Sequence, residues 1–230
     1  MVQVKKGDFI ELDFIGRLKE NNKIFDLTDE KVARDNNIYN PEVRYKPIVI
    51  CVGEKNVVPS LDKSLEGKET GKNYKIDVNL EEGFGKKDPK LIKLVSINSF
   101  RKQNINPVVG LQVSIDGIFG IIRSVSGGRV LVDFNHPLSG KDLVYEFKIN
   151  RMIEDLKEKV MSFISLNLNL PVDLFEVNQQ EDKIMIDLKE LDKKLTVSVK
   201  EKIKDELKRV VPELKEIEFK TENKKEEGIK

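Results

Sequence analysis

Tryptophan is absent from the 230 residues, and cysteine and histidine occur once each, as Cys51 and His136. One cysteine cannot build an intramolecular disulfide framework. With one histidine and one cysteine, a metal site of His or Cys ligands is all but excluded. An excess of one charge is lacking too. Lys and Arg number 41 against 40 Asp and Glu, a formal net charge of +1, so no global field draws the chain to nucleic acid or an anionic membrane. No run approaches the ~20 apolar residues that span a bilayer. The start, Met1-Val2-Gln3-Val4-Lys5-Lys6-Gly7-Asp8, lacks the apolar stretch of a signal peptide. These absences predict a cytoplasmic protein.

Charge of both signs, by contrast, is abundant. Charged residues make up 35% of the chain, above the roughly 25% usual in globular proteins, and Lys and Glu dominate. That bias resembles proteins of hot habitats, although an AT-rich genome also favours Lys, Ile and Asn. The 39% of hydrophobic residues suffices for real cores, and the length admits one large domain or two to three small ones.

Along the chain, Phe9–Phe14 reads as a strand, Glu20–Lys23 as a turn and residues 27–46 as a long polar loop. Pro47–Gly53 reads as a short strand. Val57, Val58, Leu61 and Leu65 have helical spacing up to Gly67, and Tyr74, Ile76 and Val78 alternate as in a strand. After Gly85 the character changes. Basic residues, apolar runs and Gly-rich turns alternate through residue 132, with Ser126-Gly127-Gly128 as a hairpin signal. Leu143–Ile149 reads as one more strand. Met152, Leu156, Val160, Phe163 and Ile164 form a helical stripe. Beyond it, Lys183–Leu188 and Leu195–Val199 read as strands, Lys200–Val211 as a charged helix, Ile217 and Phe219 as a strand, and the tail after Thr221 as disordered.

Three stretches, in order, resemble the FKBP-type peptidyl-prolyl isomerases, and within them the SlyD-like subgroup. The first is Ile10-Glu11-Leu12-Asp13-Phe14-Ile15-Gly16-Arg17 with Ile24-Phe25-Asp26. The second runs from Val52-Gly53-Glu54 through Val57-Val58-Pro59-Ser60-Leu61 to Glu81-Glu82-Gly83-Phe84-Gly85. The third is Asn135-His136-Pro137-Leu138-Ser139-Gly140-Lys141, ending in Leu143–Phe147. The match covers roughly the first 150 residues and leaves the last third without a motif.

The resemblance implies an α+β chain. Its parts would be an FKBP half-barrel (residues 1–86 and 133–152, an antiparallel sheet around a short helix) and a small β-rich inserted domain (87–132); beyond the resemblance, the alternation of helix and strand predicts a C-terminal α/β domain (153–230). It implies catalysis of cis–trans isomerisation at X-Pro bonds, with Asp26, Phe25, Phe84 and Tyr145 as catalytic residues. Phe14, Val57, Val58, Leu61, His136 and Leu138 would bind substrate. Many relatives carry Tyr at the Phe14 and Phe84 positions and Trp at the Leu61 position; phenylalanine keeps the walls and loses the hydroxyls. In the inserted domain, Ile92, Val95, Ile97, Phe100, Val108, Ile118 and Phe119 would divide between a small core and an exposed subset that grips client chains. The expected partners are unfolded or proline-containing polypeptides and a second copy joined through 153–230, with no nucleic acid and no membrane. Plainer uses exist for the same residues: core packing for Phe14, Val57, Leu61 and Tyr145, a turn cap for Asp26, a lone turn histidine for His136. The alternative function is a holdase chaperone with little or no isomerase activity.

Overall fold

The structure is a computed structural model. It describes residues 2–180 and 183–220, with only the backbone of Glu190, Lys193 and Lys194. The tail after Thr221 lies outside the described residues. The chain divides into two compact units. One comprises residues 2–16, 24–76 and 145–220, the other residues 17–23 and 77–144.

Strand β1 (Phe9–Leu18) alternates cleanly, burying Ile10, Leu12 and Phe14 and leaving Glu11, Asp13 and Ile15 half-covered. This is the pattern of a sheet with one packed face. A turn with Asn22 at φ 59° leads to β2 (Ile24–Leu27). Within the expected loop 27–46 a helix appears, α1 (Glu30–Asp35), because Asp29 caps the amide of Val32 and Arg34 pairs with Glu30 one turn back. Strand β3 (Ile48–Cys51) pairs antiparallel with the start of β1, Phe9 opposite Cys51. Helix α2 (Pro59–Leu65) opens on proline, whose fixed φ suits the first helical position, and buries Leu61 and Leu65. Strand β4 (Asn73–Val78) follows.

In the second unit, β5 (Ile92–Ser96), α3 (Ile97–Arg101), β6 (Gln112–Ile115), β7 (Ile118–Ser126) and β8 (Arg129–Asp133) form an antiparallel sheet of order β5-β8-β7-β6 with α3 beside it. Gly127 and Gly128, both at positive φ (55° and 77°), make the two-residue hairpin between β7 and β8. Phe100, Val113, Ile122, Val130 and Val132 are its core.

Strand β9 (Leu143–Met152) completes a five-stranded sheet of order β2-β1-β9-β4, with β3 also on β1. Then come α4 (Leu156–Leu168), β10 (Glu176–Gln180), β11 (Lys183–Asp187), α5 (Val197–Val210) and β12 (Glu216–Phe219). β11 is central, antiparallel to β10 and parallel to β12. The stretch 195–199, read as a strand, instead starts α5, because the Thr196 hydroxyl accepts from the amide of Val199. One core joins this last third to the strands before it: Val160, Ile164, Phe175, Ile184 and Leu207 pack in the same cluster as Phe9 and Cys51. The α+β class and the antiparallel half-barrel around a short helix are as the sequence implied.

Candidate active site

Three rings gather on the buried face of the five-stranded sheet. Tyr145 meets Phe25 edge-on, with ring centroids 5.8 Å apart and an interplanar angle of 88°, and meets Phe14 tilted at 6.1 Å. Both geometries suit the ring quadrupole. Phe14 is fixed by reciprocal bonds at the end of β2: its N–H donates to Thr28 Oγ1 (3.0 Å), and the Thr28 N–H donates to the Phe14 carbonyl (3.0 Å). Phe25 lies over Gly16. A Cβ there would stand 2.6 Å from the Phe25 ring and 3.1 Å from Tyr145, so only glycine lets the ring lie against the strand. Sequence reasoning missed Gly16 as a site residue, although it stands in the quoted motif.

Asp26 follows on β2. Its side chain is exposed, yet partial desolvation by surrounding protein raises its pKa, and a bond from the Leu27 amide opposes the rise only in part. Burial, reinforced by the Asp26 charge, pushes the Tyr145 phenol well above its ordinary value, so it stays neutral.

Val57 and Val58 are half-buried on the loop ahead of α2. That loop is tied to the helix it precedes. Buried Asp62 accepts from the amides of Gly53 (2.9 Å) and Lys55 (3.0 Å), and Asn56 Oδ1 accepts from the Cys51 amide (3.0 Å). Leu61 is 1% exposed. Of the predicted residues in this unit, Phe25, Asp26, Val57 and Val58 are accessible, whereas Phe14, Leu61 and Tyr145 are nearly buried. A cavity of about 600 Å³ on the same unit is lined by Phe14 and Thr28 of this cluster together with Asp13, Tyr74, Lys75 and Glu146, the last two ion-paired.

Phe84, His136 and Leu138 belong to the other unit. The Phe84 and His136 rings stack in parallel at 4.4 Å. Nδ1 of His136 accepts from the Leu138 amide (3.2 Å), and Ser139 Oγ donates to the Phe84 carbonyl (3.1 Å). Nearby, Asp133 is a charge hub that the sequence did not disclose. It is 2% exposed and accepts from Lys87 Nζ (2.8 Å), from the Arg123 guanidinium (2.9 and 3.1 Å) and from Asn135. Burial raises its pKa, but these donors outweigh burial and hold it well below the carboxylate range.

The predicted client residues divide. Phe100 is core, and Ile92, Val95 and Ile97 are partly buried. Val108, Ile118 and Phe119 are exposed, as are Leu91, Leu94 and Val109, which the sequence reading did not single out. Leu94 and Phe119 alternate with core-facing neighbours, so both point from the opposite face of the sheet. Among the described residues no group of His, Cys, Asp or Glu could hold a metal, and no helix is long and apolar enough to cross a membrane.

A short-type peptidyl-prolyl cis–trans isomerase of Methanocaldococcus jannaschii is 33% identical over 146 residues, 64% of this chain and 92% of the relative. The chain belongs to the FKBP-type peptidyl-prolyl cis–trans isomerases. The family profile of that description matches residues 2–100, and a profile described as FKBP26, IF domain matches residues 93–138. This isomerase is also 27% identical over 146 residues to the SlyD isomerase of Haemophilus influenzae, covering 61% of the chain and 76% of the relative. It is 28% identical over 109 residues to a 16 kDa FKBP-type isomerase of Escherichia coli, covering 45% and 72%. The activity is therefore isomerisation at X-Pro bonds, as the three motif stretches implied.

Proposed function

We propose that the X-Pro bond turns against the aromatic wall of Phe14, Phe25 and Tyr145, with Val57 and Val58 as apolar contacts, Leu61 supporting them from within and Asp26 as the polar group at the edge. The reaction needs no nucleophile. Resonance gives the amide a rotation barrier of about 18–20 kcal/mol, and X-Pro exchange takes tens to hundreds of seconds unaided. Twisting reduces charge separation across the bond, while water favours the planar, polar form. A dry aromatic wall removes that advantage, and each 1.36 kcal/mol taken from the barrier is worth about tenfold in rate. The observation that carries this reading is the Phe14–Tyr145–Phe25 cluster with Asp26 beside it. Phe84, which the resemblance makes catalytic, and His136 and Leu138, which it assigns to substrate, are tested separately through Phe84→Ala.

The inserted unit is proposed to capture unfolded client polypeptide of the cytoplasm on its exposed apolar residues, Leu94, Val108, Val109, Ile118 and Phe119. Tethering then raises the client's effective concentration to about the millimolar range, so catalysis should be faster on a protein than on a short peptide. A second copy of the chain is the proposed partner of the last third, whose exposed Leu166, Leu174, Val197 and Val199 would be covered by it; sedimentation of the full chain tests this.

The deciding experiment measures isomerisation of a short peptide and of a slowly refolding protein by wild type, Asp26→Ala, Phe25→Ala and Phe84→Ala. Loss on both substrates in the Asp26 and Phe25 variants is expected. Wild-type rates in those two variants would place the chemistry elsewhere.

A further inference from the structure

Both loops that flank β3 are held by arginine forks that link them to the last third of the chain. Before β3, Arg44 donates to both carboxylate oxygens of Asp173, at 2.7 and 3.4 Å, in the turn Val172–Leu174. After β3, Arg209 in the last turn of α5 donates to both carboxylate oxygens of Glu54, at 2.7 and 2.5 Å. Glu54 lies in the loop that continues to Val57 and Val58. On its helix side this loop is fixed by Asp62 of α2, and Asn56 folds it back onto the Cys51 amide at the end of β3. On its other side the contact is not packed solid: Glu54 and Arg209 line a groove of about 690 Å³ together with Lys6, Phe9, Cys51 and Val210. On that side the ion pair acts together with the backbone bonds from the Val52 amide to the Asp8 carbonyl and from the Gly7 amide to the Val52 carbonyl (both 2.9 Å) in placing the loop. The pair lowers the pKa of Glu54 and raises that of Arg209, with Lys6 adding attraction to Glu54.

We propose that Arg209 is a positioning residue for isomerisation, through which the C-terminal third sets the geometry of the loop presenting Val57 and Val58. This rests on the assignment of those two residues to the proline-binding wall. Side-chain exposure is 60% at Arg209 and 23% at Glu54, and exposed pairs add little to global stability even when bidentate. A kinetic effect should therefore appear without a matching loss of stability.

The test uses the full-length chain with Arg209→Gln, Glu54→Gln and the reciprocal exchange Glu54→Arg with Arg209→Glu. For each, kcat and KM on a short X-Pro peptide, the melting temperature, and amide exchange at Gly53 and Lys55 are measured. Each single variant is expected to raise KM about threefold, the scale an exposed bidentate pair can supply, and to speed exchange at both amides. The melting temperature should hardly move, and the exchanged pair should recover most of the KM. Unchanged KM in the single variants overturns the proposal, as does a rise the exchanged pair fails to recover. A KM change that tracks a lower melting temperature also overturns it, since the pair would then be structural. Val58→Ala separates the two readings. If it leaves KM unchanged, the wall assignment fails; if it raises KM while Arg209→Gln does not, only the positioning role fails.

Discussion

At the scale of single residues, two positions carry consequences that their residue type alone does not announce. Gly16 matters for what it lacks. Its missing Cβ leaves room for the Phe25 ring, which would otherwise meet carbon at 2.6 Å. Gly16→Ala should displace that ring and lower kcat/KM on a short peptide by about tenfold, or ~1.4 kcal/mol of barrier, with the inserted unit's client binding intact; paired peptide-isomerisation and client-binding assays check this. Asp133 matters for its charge. Its pKa is depressed in the fold, so its stabilising contribution is complete above the unfolded carboxylate value of about 3.9 and is lost as pH falls below that toward the folded value. Amide protection of the inserted sheet, taken relative to the intrinsic exchange rate at each pH, should therefore fall below about pH 4 in wild type. Asp133→Asn should remove that pH dependence and weaken the sheet at neutral pH by about 1–3 kcal/mol, since the half-exposed Lys87 and Arg123 would lose their counter-charge.

At the scale of elements, the inserted sheet shows one periodicity serving two faces. β8 gives Val130 and Val132 to the core, and β5 gives Val95 to it, while Leu94 points the other way and stays 62% exposed. Phe119, 67% exposed, sits beside core-facing Gly120. Neither exposed side chain stabilises the core, so Leu94→Ser with Phe119→Ser should preserve folding and the peptide rate. Refolding catalysis on a protein substrate should fall severalfold, toward the untethered rate. A parallel fall in the peptide rate would argue against separate capture. The elements that escaped the sequence reading are β2, α1, α3 and β10. Asp29 and Ser96 cap the two short helices, and β10 is a polar edge strand, Glu-Val-Asn-Gln-Gln, with one buried residue. Such segments owe their form to local caps or a neighbouring strand rather than to apolar periodicity.

At the scale of the whole molecule, the last third is continuous with the core beneath β1 and β3. Val49, Phe9 and Cys51 pack with residues of α4, β11 and α5. Burial pushes the Cys51 thiol up to about 12, so it stays protonated and behaves as a small apolar side chain. A chain ended at Met152 would uncover this surface. It should melt at least about 5 °C lower than the full chain or aggregate, which scanning calorimetry of both forms would show. An unchanged melting temperature would mean that the shared core contributes nothing to the sheet.

The sequence by itself determined the family, the activity, the α+β class and most strands. Those follow from local rules: alternation along β1, proline at the head of α2, paired glycines at 127 and 128, and ordered motif stretches whose spacing the chain preserves. It also named the rings that meet, Phe14, Phe25 and Tyr145. Only the tertiary structure decided which of the insert's apolar residues are core and which are surface. Side chains of the same type, Phe100 and Phe119, end on opposite sides of that divide because burial depends on which neighbours arrive from elsewhere in the chain. The same holds for Asp133 among Lys87, Arg123 and Asn135, and for Glu54 meeting Arg209 across 155 positions. Charge in a sequence this rich in it carries no partner label; partners are assigned only when the fold brings two groups within hydrogen-bond reach.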